Sequence, residues 1–243
     1  RILHPAAHQG LMALREGRLD KPARYSHRFI GANHVMTDTS LGDTLSVLRG
    51  GLLPGVDREL NQATLTEQAR QTTEFLRTAA GLELRGTTAT AEGLHVELAV
   101  QNLGAGHNLP TGVNDQKHMW LEIHLTDATG AEIFRSGGDA ERLGVEDPQA
   151  VAWLEHFLDN KGQRITDHLT FATARVEWVR KPIPPRGEEL VGYDIPLPAD
   201  AKGPFRLTAQ LHYRVALPDL IYQNLRRTLP VPSFTLAELT ADL

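Results

Sequence analysis

Cysteine is absent from this sequence of 243 residues. Its absence excludes disulfides, thiolate metal sites, a nucleophilic thiol and covalent thioether attachment of haem through this chain. Long apolar runs are missing too. No stretch approaches the roughly 18–20 consecutive apolar residues of a bilayer-crossing helix, so no span is expected. Charge of one sign is nowhere concentrated. A formal net charge of −5 and no basic arm make nucleic acid an unexpected partner. No HExxH, no phosphate-cradling GxxxxGK, no Ser-His-Asp order and no paired carboxylates with a defined cleft occur, so the chain is expected to lack catalytic activity of its own. "RILHPAAHQG" carries neither an initiator Met nor an export signal and reads as part of a mature, processed or truncated product.

What is present is ordinary globular composition, 41% apolar and 23% charged, enough for a real core. Residues 1–60 are irregular and rich in His, Gly and Pro, with a short helix expected at 5–15 and a role in docking against something else. A helix is expected over 61–81. Thr64 and Glu67 have capping-box spacing, Leu65, Ala69, Thr72, Leu76 and Ala79 form a stripe, and Gly81 stands at a C-cap position. Beyond it the period becomes two. Leu94, Val96, Leu98 and Val100 alternate with His95, Glu97 and Gln101, and Met119, Leu121, Ile123 and Leu125 alternate with Trp120, Glu122 and His124. "FRLTAQLHYRV" repeats the pattern. Further strands are expected at 82–90, 131–136, 173–180, 188–195 and 230–237, each with one wet face. Residues 82–243 therefore read as an antiparallel, immunoglobulin-like β-sandwich. An insertion at about 138–170 interrupts it, with a short helix or hairpin around "AVAWLEHFLD".

Eleven histidines are more than a sandwich needs, and His4, His8, His27 and His34 fall in the first 34 residues. A neutral imidazole is a common ligand for transition metals and haem iron. His4 and His8 have one-turn spacing but no indicated third ligand. In "SHRFIGANH" (26–34), His27 and His34 either bond loop backbone around a turn at Gly31 or ligate a metal. His107 is central to "GAGHNLPTG" (104–112), which is either a turn set by Pro110 and Gly112 or a face toward a cofactor or partner. His118 and His124 share a strand face with Trp120 and read as surface, as do His95, His156, His168 and His212.

"SHRFIGANH", the helix ending "TEFLRTAAGLELRG", "VQNLGAGHNLPTGVNDQKHMWLEIHLTDATGAEIFRSG", "VRKPIPPRGEELVGYDIPLP" and "FRLTAQLHYR" together resemble the C-terminal portion of bacterial multihaem c-type cytochromes, over about residues 24–236. There a region of CxxCH repeats precedes an SHxFxGxxH segment and a sandwich with a GHxxPTG loop. The resemblance implies electron transfer in the periplasm or at the cell surface. It makes His27 the first candidate for an axial ligand to a haem c attached elsewhere and His34 the second. His107 is matched to the loop histidine. With no CxxCH here, the haem belongs to a missing part or to a partner subunit, unless the chain is a haem-free extracellular module that binds protein or glycan. Oligomer formation is left open.

Overall fold

The alternating segments become strands, and the computed structural model describes residues 30–38, 58–138, 147–166, 169–226, 228–229 and 231–243. The chain divides into two compact units, Arg1–Gly31 and Ala32–Leu243. Of the first, only Ile30 and Gly31 are described, so the helix expected at 5–15 lies outside the described residues. In the second unit a 3₁₀ helix, His34–Thr37, precedes α1 (Arg58–Arg77). The strands are β1 (Ala80–Ala89), β2 (Gly93–Asn102), β3 (His118–Thr126), β4 (Glu132–Ser136), β5 (Val151–Trp153), β6 (Glu155–Leu158), β7 (Arg175–Trp178), β8 (Glu188–Pro196), β9 (Arg206–Arg214) and β10 (Phe234–Asp242). A short helix, α2 (Pro218–Leu225), separates the last two.

The strands form three antiparallel sheets. One has the order β1-β2-β8, and a second runs β10-β9-β3-β4 with β5 also on β3; β6 and β7 make a separate ribbon. The inward faces of the two larger sheets share one core. Val96, Leu98 and Val100 of β2 and Val191, Tyr193 and Ile195 of β8 join Met119, Leu121, Ile123 and Leu125 of β3 and Leu207, Ala209 and Leu211 of β9. Each large apolar side chain so buried is worth about 1.5–3 kcal/mol, and this shared core makes the architecture a β-sandwich. Trp153 is fully buried and its indole Nε1 donates to Glu189 Oε2 at 2.6 Å, which ties β5 toward the β8 side. The Arg180 guanidinium bonds the other oxygen of that carboxylate.

Four expectations need correcting. Helix α1 starts six residues before Thr64, so the Thr64/Glu67 pair lies inside it; Glu67 instead takes hydrogen bonds from Arg70 and Gln71. The helix ends at Arg77, and Gly81 is the second residue of β1. The stripe itself holds, with Thr72 and Leu76 buried. Second, the outer face of β3 is not wet at its start: Trp120 is only 4% exposed, clustered with Ala152 and Leu154. Third, β10 begins at Phe234 rather than at residue 230, since prolines at 230 and 232 cannot donate to a ladder. Fourth, around "AVAWLEHFLD" neither a helix nor a hairpin forms: the chain is extended as β5 and β6, which pair with β3 and β7 rather than with each other.

Candidate functional site

His34 opens the 3₁₀ helix. Asn33 caps it, its side-chain oxygen accepting from Met36 N at 3.4 Å, while Thr37 Oγ1 donates to His34 O at 3.1 Å. Val35 and Thr37 are buried, which fixes the turn on the sandwich. The imidazole packs on Phe234, at 5.5 Å between ring centroids, and on Tyr213, at 6.3 Å. Its Nε2 lies 3.2 Å from Pro232 O. A carbonyl only accepts, so Nε2 carries the proton and Nδ1 carries the lone pair. That Nδ1 is buried and has no hydrogen-bond partner among the described residues. Burial pushes the His34 pKa down, against smaller upward pulls from the Pro232 carbonyl and Asp38. A neutral imidazole with one nitrogen anchored to a carbonyl and the other left bare is the arrangement second-shell contacts give to metal-binding histidines.

His107 sits elsewhere, on the loop after β2. Its side chain is exposed, with Nδ1 donating to Asn108 O at 2.9 Å. The loop around it is held by Asn102, whose Nδ2 donates to both His107 O and Ile183 O at 2.9 Å. Leu109 and Ile183 exchange a pair of backbone bonds, each 2.8 Å. Gly112, at φ +85°, makes a turn that a side chain would strain, and Lys117 Nζ donates to Thr111 O at 3.2 Å. The GHxxPTG stretch is thus clamped to the strand-like segment at Ile183. The contacts of His34 and His107 do not overlap. His4, His8, His27 and His168 lie outside the described residues.

The outer face of β3 and β9 carries a cluster that sequence reading treated as surface. Glu122 accepts from His124 Nε2 at 2.7 Å, His212 Nε2 at 2.9 Å and Arg135 Nη2 at 2.9 Å. Burial alone would raise the Glu122 pKa, and these donors from His124, Arg135 and His212 turn the net shift downward. Trp120 lies between the His212 ring, 5.1 Å away, and the Arg214 guanidinium, 5.4 Å from its centroid. His118 is buried at the edge of Trp120, and burial first, then Arg214, Arg164 and His156, push its pKa down to about 4. The alternation signal placed these residues together on one face. Nothing local to β3 announced the cover from β5 and Leu154. Among the described residues no group of three or more His, Asp or Glu is placed to hold a metal ion. No helix among them is long and apolar enough to cross a membrane.

The described residues therefore form a mainly β protein, two larger sheets around one core and a two-stranded ribbon, with an anchored imidazole where β9 ends and β10 begins. No protein-family profile matches it, and no curated protein does so. Among solved structures it is similar to a penta-heme cytochrome c552 from Thermochromatium tepidum, with 19% identity and a TM-score of 0.54 over 70% of this chain. The match spans 41% of that protein's chain. The likeness to multihaem c-type cytochromes is thus a likeness of fold.

Proposed function

We propose that this chain is the β-sandwich part or subunit of an exported multihaem c-type cytochrome involved in electron transfer, lending an axial imidazole to a haem attached through cysteines elsewhere. The observation that carries this reading is His34, whose bare and buried Nδ1 opposes an Nε2 anchored on Pro232 O. An imidazole with a free lone pair has the chemistry of an axial donor, and without cysteine the chain is not the haem's covalent attachment site; His34 Nδ1 is closed over in this structure, so its segment would have to open for iron to reach it. A haem held there would supply one-electron redox chemistry. What the chain itself does is hold the donor. Pro232 sets the tautomer, Phe234 and Tyr213 set the ring plane, and burial keeps the ring unprotonated at neutral pH.

His27, in the same SHxFxGxxH segment, is the first-choice ligand, with His34 second and His107 facing the cofactor or partner side. The strand orders β1-β2-β8 and β10-β9-β3 support reading the sandwich as immunoglobulin-like, with these strands in the A-B-E and G-F-C positions. The partner is the haem-bearing domain or subunit, and the compartment is the periplasm or cell surface. The test is the visible and EPR spectrum of the native assembly against His27→Ala and His34→Ala. Loss of one low-spin haem signal in either variant identifies the ligand, and an unchanged spectrum in both removes the reading. A chain recovered colourless, with no cytochrome attached, supports instead the haem-free module that its lack of cysteine favours.

A further inference from the structure

The β6–β7 ribbon is open on one edge. Among the described residues β7 pairs with β6 alone, and all four of its residues are exposed. The β6 side is tied in: Glu155 N donates to Asn114 O, and Ile165 N to Phe157 O. Val179 N donates to Leu154 O, which extends the β6–β7 ladder by one more pair. In an antiparallel ladder backbone groups alternate in direction, so positions 175, 177 and 179 bond toward β6 while Val176 and Trp178 turn theirs outward. The ribbon is also two-faced. Val176 and Trp178 stand opposite Phe157 and Glu155, whereas Arg175 and Glu177 form an ion pair on the other face, 2.5 Å apart.

We propose that two copies of this chain pair through β7, antiparallel about a two-fold axis at Val176. In that register Val176 meets its symmetry mate through outward backbone groups. Arg175 faces Glu177 of the second copy, and the reverse, so the charge pattern is self-complementary. Shifting the axis to Glu177 sets two carboxylates opposite each other, which selects against the neighbouring register. Exposed apolar side chains flank the seam. Val176 is 42% exposed and Trp178 41%, both on one face of the strand. A two-stranded ribbon with an exposed apolar face is marginal alone, and strand addition completes it. This inference is independent of the haem reading.

Sedimentation velocity and light scattering over a concentration series test it, using the full chain with Arg175→Glu, Glu177→Arg and the double exchange. The side chains are exposed, so the fold tolerates each change. The expected result is a wild-type dimer, weakened about tenfold or more in each single variant and restored both in the double exchange and on mixing the two singles. A wild-type chain that stays monomeric overturns the proposal. A dimer that ignores all three variants overturns it equally, by placing the interface elsewhere.

Discussion

Replacing Asn102 by alanine removes the clamp on the His107 loop, and its cost follows from the contacts. Asn102 is fully buried, and its Nδ2 serves two carbonyls, His107 O and Ile183 O. Ile183 O keeps a second donor, Leu109 N at 2.8 Å, so only the His107 carbonyl loses this tie to the strand end. Two hydrogen bonds at about 0.5–1.5 kcal/mol each, plus part of one carbonyl's desolvation, come to about 2–3 kcal/mol. Removing Oδ1, which has no hydrogen-bond partner among the described residues, returns some of it. The expected net loss is about 2 kcal/mol, a fall of about 4–8 °C in Tm for a chain of this size. Asn102→Asp sets an acceptor against two acceptors and should cost about twice as much. Urea unfolding followed by the fluorescence of the three tryptophans measures both. A loss under about 0.5 kcal/mol for alanine, or equal losses for alanine and aspartate, refutes the clamp.

Other outcomes are expected from the same geometry. Leu121→Ala, at a site with no exposure, should cost about 2–5 kcal/mol in chemical denaturation, by lost burial and a residual cavity. His118 has a folded pKa of about 4, so its unfolded form takes up a proton first as pH falls. It therefore contributes stability above pH ~6.5 that is lost toward pH 4, on the order of 3 kcal/mol, and His118→Gln should flatten the stability profile in that window. Glu122, with its pKa held down, contributes above the ordinary carboxylate range and loses that contribution as pH falls through its folded value; Glu122→Gln should remove this acid-limb slope. Gly137 has φ +75°, and a Cβ there would meet Leu121 O at 2.0 Å, so Gly137→Ala should cost about 2–4 kcal/mol in thermal unfolding.

Much of the sandwich was legible because its central strands alternate. In β2, β3, β8 and β9 the residues with period two are the ones that meet in the core, and the sequence positions match within two residues. Burial by distant segments was not legible. Trp120 has the period of a solvated face, yet Ala152 and Leu154 close over it from a segment after β4 whose course no local signal sets. Helix α1 begins at Arg58, directly after Asp57, a residue type that suits an N-cap, while the Thr64/Glu67 pattern pointed to a later start. Helix α2 is too short for periodicity to register, although Pro218 at its first turn and Arg226 at φ 52° mark its ends. For the site, the His34 segment was legible as a motif. The Pro232 carbonyl that fixes its tautomer is 198 residues away, and only the fold brings the two together.

Strand β3 is bordered by β9 along its full length on one edge and by β4 and β5 on the other, and its residues 119, 121, 123 and 125 are wholly inaccessible. Its amides can trade protons for deuterons only when neighbours on both edges let go together. Exchange should therefore be slowest there, at the rate of global opening, while β1, β10 and the β6–β7 ribbon exchange earlier through smaller excursions. The molecule should come apart from its borders inward, with β3 the last strand to part.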